Sequence, residues 1–272
     1  MTATTTKNNP GSFSKQYHFT ARGILRKWIR ICRQRNWRLL PKALVVDTLN
    51  FIRFVILGNA FFKSECCICG YKGPFVHMYT ELRMALNSAC PACDSRSRHR
   101  GLFFLYNDQI LKKDTSQKVI LHFAPEPVFY KLFVENPDLS YRTTDFLLED
   151  VDYPGEDIQN LSFKDNRFNY VLCNHVIEHV PDDDRALGEI SRVLVKDGVA
   201  FITIPGNFAR KRTRYFDHLN YNGHYRDYGL DVLDKMKKHF TTVEAVDLSS
   251  YNVLSANGYS IRKKDMVFLC KK

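Results

Sequence analysis

The chain has 272 residues, 44% of them apolar and 13% aromatic, with a formal net charge of +11. That supplies enough core for one α/β domain plus a smaller module, and it excludes a wholly disordered chain. The charge is uneven: residues 1–46 hold ten Lys and Arg and no acid, leaving 30 basic against 29 acidic residues elsewhere. An arm this basic on a nearly neutral body points to a polyanionic partner, either RNA or an anionic membrane surface.

The first twenty residues are polar and lack the apolar core of a secretory signal. Their Ser, Thr and basic content, free of acids, also fits an organelle transit peptide. The apolar stretch 43–62 is interrupted by Asp47 and Arg53, each costly at a bilayer centre, so no transmembrane segment is expected. The expected location is the cytoplasm, with the arm as a route to the membrane periphery.

After a tail reaching about residue 22, Ile24, Leu25, Trp28, Ile29, Ile31 and Cys32 interleave with Arg26, Lys27, Arg30 and Arg33 over 23–40. This is a basic amphipathic helix that either lies on an anionic surface or packs on its own domain with its charges in water. Pro41 is expected to separate it from a second helix running through Phe61. Residues 1–62 thus form a basic arm with amphipathic helices.

Residues 63–96 hold five of the eight cysteines. Cys66 and Cys69 form one CxxC pair and Cys90 and Cys93 another, with twenty residues between the pairs. Two residues between cysteines let both thiolates reach one ion from a tight turn, and two such knuckles complete a tetrahedral zinc site. The expected metal ligands are Cys66, Cys69, Cys90 and Cys93, with Cys67 a spare able to replace Cys66. Four thiolates leave no open position for water, so this Zn2+ is structural.

A helix is predicted over 97–111, and then strands alternate with helices. The strand predictions are 118–123, a short apolar run of the kind that forms a buried parallel strand, then 141–145, 168–174 and 199–205. Between the last two, Pro181 and Asp182, Asp183 and Asp184 open a helix carrying Ala186, Leu187, Ile190, Val193 and Leu194, closed by Lys196 and Gly198. Strand, helix and strand joined by short loops make a right-handed parallel crossover. A helix over 230–240 and strands over 242–248 and 266–270 follow, the last expected to be antiparallel. The fold class is α/β, a doubly wound, mostly parallel Rossmann-like sheet behind a zinc-ribbon-like module.

The 118–123 strand ends in LHFAPEP, the 168–174 strand runs into NHVIEHVPDD, and RVLVKDG follows the helix. With the RHR element (Arg98, His99, Arg100) and HYRDYG (His224 to Gly229), these motifs resemble the class I methyltransferases of the methyltransferase-11 type. The likeness is to a branch with a zinc-ribbon-like segment, and it covers roughly Cys66 to Cys270. It implies that 97–272 is an S-adenosylmethionine-dependent methyltransferase domain with the cofactor over the strand ends. By the resemblance, Phe123, Ala124, Pro125 and Glu126 pass under the methionine part of the cofactor. Asp145 accepts hydrogen bonds from the ribose hydroxyls, Asp157 and Ile158 border the adenine, and Asn174 and His175 stand beside the methyl group.

The chain departs from the family at the first loop, where His122 and Ala124 stand in usually acidic or glycine positions. S-adenosylmethionine carries no phosphate, so the need for glycine is weaker than in a dinucleotide site. The acceptor is expected to be an oxygen or nitrogen of a small molecule or glycan. His179 and His224 are the candidate general bases, set against the more ordinary readings of His179 as a packed residue at the helix entry and His224 as a loop residue on a polar face. Arg226 and Tyr228 offer contacts for an anionic or sugar substrate, and Arg210, Lys211, Arg212 and Arg214 a basic run near the site mouth. Two other readings stand beside this one: an RNA methyltransferase using module and arm, and a non-catalytic interaction protein that keeps the fold. His175 to His179 also spells HxxEH, an inverted zinc-peptidase motif. That chemistry needs a continuous helix, whereas an apolar strand leads in and Pro181 follows at once.

Overall fold

The computed structural model describes residues 21–58, 64–79, 84–112, 117–220, 222–254 and 265–272. The first part of the basic arm, 1–20, and the expected end of the second helix, 59–61, lie outside them. The chain divides into two units, Met1–Leu111 with Leu248–Asp265, and Lys112–Asp247 with Met266–Lys272.

In the first unit, helix α1 (Ala21–Arg33) buries Ile24 and Ile31. Helix α2 (Leu40–Phe51) carries Pro41 in its first turn and does not end there, because a proline needs no amide partner at that position. It continues as a π-helical stretch, Ile52–Leu57. Strands β1 (Val76–Tyr79) and β2 (Met84–Ala89) form an antiparallel hairpin inside the cysteine-rich segment. Helix α3 (Ser97–Tyr106), placed by sequence with the 97–272 segment, clusters with this first unit.

Buried Asp47 joins these elements. It accepts hydrogen bonds from Lys27 Nζ at 2.9 Å, Trp28 Nε1 at 3.1 Å and Tyr79 Oη at 2.9 Å. Helix α1 is thereby held on its own unit through the same acid that interrupts the apolar 43–62 stretch. Among the described residues no helix is long and apolar enough to cross a membrane.

Asn50 acts as an extra rung on β1, donating to His77 O at 2.9 Å and accepting from His77 N at 2.8 Å. The His77 ring Nδ1 accepts from the Asn87 amide at 2.9 Å.

The second unit is built on a seven-stranded sheet. Its strands in chain order are β3 (Lys118–Phe123), β4 (Leu139–Asp145), β5 (Tyr153–Pro154), β6 (Phe168–Asn174), β7 (Leu194–Thr203), and, after a small ribbon of β8 (Arg214–Tyr215) and β9 (Arg226–Asp227), β10 (Thr242–Asp247) and β11 (Met266–Lys271). Their spatial order is β10-β11-β7-β6-β3-β4-β5. The pairs from β7 to β5 are parallel, and β11 runs antiparallel to both neighbours. This is the doubly wound, Rossmann-like α/β fold. Helix α4 (Pro127–Val134) joins β3 to β4, and α5 (Asp183–Val193) joins β6 to β7.

Helix α5 follows its sequence signals. Asp182 caps it by accepting from the Arg185 amide at 2.9 Å, and Ala186, Leu187, Ile190 and Val193 are fully buried. Its end differs from the expectation at Lys196 and Gly198: β7 begins at Leu194, directly after the helix. Gly198 lies inside β7, where a Cβ would come within 2.9 Å of Val195 O and 3.1 Å of Asn169 O. Close approach of the Val195 carbonyl in the same strand, with Asn169 O of β6 beside it, selects the glycine there. Helix α6 (Val232–Met236) is shorter than the predicted 230–240, because the flanking residues close as turns.

Burial, followed by the Arg53 charge, lowers the His77 pKa from 6.5 to about 4. The unfolded chain therefore takes up a proton before the folded one does. Stability should fall as pH drops from 6.5 to about 4 and level off below. Chemical denaturation of the His77→Gln variant across that range should show a flatter dependence; an unchanged profile would assign the proton uptake elsewhere.

Candidate active site and thiolate cluster

Strand β4 lies on one side of β3 and β6 on the other, so the chain's connections leave this strand pair in opposite directions. In doubly wound sheets that reversal opens a crevice at the carboxyl ends of the strands. A cavity of about 500 Å³ lies there, lined by Phe123, Ala124, Asp145, Phe146, Leu147, Glu156, Asp157, Ile158, Gln159, His175, Val176, His179, Val180 and Pro181. Seven residues singled out from sequence, Phe123, Ala124, Asp145, Asp157, Ile158, His175 and His179, thus come together. Pro125, Glu126, Asn174 and His224 are not among the lining residues.

The strand exits share one device. Ala124 has φ 47° and its amide donates to Thr144 O at 2.9 Å; His175 has φ 54° and donates to Thr203 O at 2.9 Å. Each strand turns sharply by a left-handed residue anchored on the neighbouring strand. Left-handed backbone costs a residue other than glycine about 1–2 kcal/mol. Ala124 therefore stands at a position whose backbone favours glycine, which accounts for a sharp turn in a loop without one.

Glu126 and Asn174 serve a buried chain of polar contacts under the strand tips, hydrogen bonds except at the His122–Glu126 link. Tyr141 Oη lies 2.8 Å from His122 Nδ1, and His122 Nε2 lies 3.5 Å from Glu126 Oε2. Asn174 Nδ2 donates to the same Glu126 oxygen at 2.7 Å, and Thr203 Oγ1 donates to Asn174 Oδ1 at 3.2 Å. Burial pushes the Tyr141 hydroxyl pKa well up, so it remains a donor. His122, a departure from the family pattern, cross-links β3 to β4.

At the far tip, Asp145 Oδ1 accepts from the Leu147 and Leu148 amides at 2.7 and 2.8 Å. Asp157 Oδ1 accepts from the Gln159 amide and side chain at 2.9 and 3.1 Å.

The HVIEHVP stretch is a left-handed residue followed by a single 3-10 turn, Ile177–His179. It is not the continuous helix an HxxEH peptidase site requires. The HYRDYG stretch clamps this turn. Arg226 Nη1 donates to Ile177 O at 3.1 Å and Nη2 to Pro181 O at 2.5 Å. The Tyr225 amide donates to Glu178 O at 2.9 Å, and Tyr228 Oη to Asp183 Oδ2 at 2.9 Å. Arg226 and Tyr228 are 2% and 1% exposed, which overturns the expectation that they contact substrate. At Gly229 a Cβ would sit 2.5 Å from Arg212 O, so the motif's last residue must be glycine. Arg210 is tied to Asp227 Oδ2 at 3.0 Å, and Lys211, Arg212 and Arg214 are exposed.

His224 meets His179 edge to face, with ring centroids 4.7 Å apart. The His179 Nδ1–H donates to Gly223 O at 3.2 Å. Burial lowers the His224 pKa, favouring its neutral form. Glu178, fully buried between the two motif histidines, was not singled out by sequence; its Oε1 lies 3.1 Å from His175 Nδ1.

In the first unit, the sulfurs of Cys66, Cys69, Cys90 and Cys93 lie within 4.8 Å of one another. Both knuckles repeat one geometry: Gly70 N donates to Cys66 O and Asp94 N to Cys90 O, each at 2.9 Å, with left-handed backbone at Gly70 and Asp94. Cys67 points elsewhere, its Sγ donating to Arg100 O at 3.6 Å, so Cys66 and not Cys67 stands with the other three sulfurs. Hydrogen bonds from Cys69, Cys90 and Cys93 hold the Cys66 thiol far below its usual pKa. Arg100 of the RHR element is fully buried, donating to Ser95 O at 2.7 Å with its guanidinium 4.5 Å over the Phe75 ring. It places a cation near a cluster that bears negative charge when ionised, a role the motif's spacing alone did not signal.

Residues 133–202 match the family model described as "Methyltransferase domain". The match spans β4, β6 and α5 and excludes the loop after β3 and the HYRDYG clamp. No curated protein matches the chain. Among solved structures, a methyltransferase from Bacillus halodurans, termed putative, is 15% identical, covering 62% of this chain and 97% of its own at a TM-score of 0.41. The 1,6-didemethyltoxoflavin-N1-methyltransferase of Burkholderia thailandensis, solved with 1,6-didemethyltoxoflavin and S-adenosylhomocysteine, is 15% identical, covering 65% and 78% at 0.46. Phosphoethanolamine N-methyltransferase 2 of Haemonchus contortus is 17% identical, covering 56% and 39% at 0.43.

Replacing Arg226 by Met would strip Ile177 O and Pro181 O of their donor. Loss of a buried charged hydrogen-bonding partner costs about 3 kcal/mol. Urea denaturation should register that loss, and hydrogen exchange should find the 177–181 amides deprotected first. Full protection of those amides in the variant would show that Arg226 does not hold the turn.

Proposed function

We propose that this protein is an S-adenosylmethionine-dependent methyltransferase acting on an oxygen or nitrogen of a small molecule or glycan. The observation that carries the reading is the cavity of about 500 Å³ at the strand-order reversal, with Asp145 at one strand tip and His175 at another. The amides of Leu147 and Leu148 fix the Asp145 carboxylate, orienting it to accept hydrogen bonds from ribose hydroxyls. Ile158 supplies an apolar wall for the adenine, and Asp157 an acceptor for its amine. The Ala124 turn and His175 border the methionine end. Bound S-adenosylmethionine supplies an activated methyl group, so the protein's work is alignment and exclusion of water. His224, kept neutral by burial, and His179 beside it are suited to accept the acceptor's proton.

In the first unit the four clustered thiols fit a structural Zn2+, which would neutralise charge that Arg100 balances only in part. The purified protein is expected to carry one zinc per chain by elemental analysis, and a strong chelator should unfold the hairpin module. Retention of the module's amide protection after complete zinc removal would refute a folding role.

The cofactor assignment is tested by calorimetry with S-adenosylhomocysteine. Asp145→Ala should weaken binding by about 1–3 kcal/mol, the scale for losing hydrogen bonds to a charged group. Equal affinity in the variant would place the ribose elsewhere, and an absence of binding in the parent protein would sink the methyltransferase reading.

A further inference from the structure

We propose that Glu178, His179 and His224 form a second metal site, distinct from the cysteine cluster, that holds a divalent transition-metal ion at the edge of the cavity. The three side chains each bring one ligand atom, and these atoms lie within 4.8 Å of one another. Glu178 is fully buried, and its Oε2 has no hydrogen-bond partner. A buried carboxylate oxygen left unpaired is costly, and a cation beside it removes that cost. His179 has the arrangement of a metal ligand: Nδ1–H is committed to Gly223 O, which leaves Nε2 free to coordinate. The Arg226 clamp and the Tyr225 amide fix the backbone that carries the carboxylate and His179, through the carbonyls of Ile177, Pro181 and Glu178.

Two imidazoles and one carboxylate suit manganese, iron, cobalt, nickel or zinc better than magnesium or calcium. Three protein ligands leave coordination positions open, unlike the four-thiolate cluster. His179 also lines the cavity, so an ion on this set has an open side within reach of a bound acceptor. The consequence for chemistry rests on the methyltransferase reading. With both imidazoles engaged as ligands they no longer serve as bases, and an acceptor hydroxyl bound to the ion would instead lose its proton to solvent water. Its oxygen then forms the new bond to the methyl carbon, and S-adenosylhomocysteine leaves with the electron pair of the broken S–CH3 bond. The site thereby favours a hydroxyl acceptor over an amine.

The test is Co2+ titration of the full-length protein brought to one zinc per chain, so that only the four-thiolate cluster is filled, followed by calorimetry and visible absorption. One Co2+ per chain is expected, with ligand-field bands but no thiolate charge-transfer band. Glu178→Gln and His224→Gln should each weaken its binding at least tenfold. His224 is on a partly exposed loop, so its variant keeps the test valid if the buried Glu178 variant misfolds. No Co2+ uptake, or uptake that the His224 variant leaves unchanged, would overturn the site. S-adenosylhomocysteine binding measured on the same samples separates the two ideas. Its retention without Co2+ uptake removes the metal site alone; Co2+ uptake without it removes the methyltransferase reading alone.

Discussion

The guanidinium of Arg226 is the fastening on which the second unit's cavity depends. It is buried, and it satisfies the carbonyls of Ile177 and Pro181 at the two ends of a turn that has little regular hydrogen bonding of its own. Backbone acceptors buried without donors are rarely tolerated, so a turn of this kind needs a donor from outside. Arg226 supplies two, Tyr225 a third, and Tyr228 ties the start of α5 to the same strand through Asp183. His179, Val180 and Pro181, which wall the cavity, are placed by that set of bonds.

The opposite wall rests on left-handed turns. Ala124 and His175 leave adjacent parallel strands by the same backbone conformation and are anchored on the next strand outward. The conformational cost is repaid by the sheet, which fixes Thr144 O and Thr203 O as acceptors. Beneath them, the Tyr141, His122, Glu126, Asn174 and Thr203 chain keeps the strand tips in register. His122, which looks out of place beside a usual first loop, therefore ties the strand beneath that loop to β4 through Tyr141.

In the first unit a comparable economy operates around charge. Asp47 gathers three donors from two other elements, and Arg100 sits buried beside four thiols that repel one another when ionised. Each is a buried charge made tolerable by specific partners. The RHR element and the first acid of the chain thus have structural work, and the basic helix is held down by its lysine, Lys27.

Much of this was legible from local pattern. The CxxC pairs, the apolar strand runs, the acidic start of α5 and the antiparallel last strand all depend on residues close in sequence, where spacing alone decides what can meet. The gathering of Asp145, Asp157, Ile158 and His175 followed from a resemblance, since no spacing rule links them. Residues brought together by the fold were misread or missed: Arg226 and Tyr228 looked like substrate contacts, Glu178 stood only as the acid of a rejected HxxEH motif, and Gly198 looked like a helix stop. Their roles depend on a strand some 45 residues away or on a neighbouring backbone. The sequence by itself determined which segments form strands, helices and thiolate knuckles, because those follow from periodicity and short-range geometry. Only the tertiary structure decided which polar groups are buried against one another, because burial is a property of the packed sheet and not of any one segment.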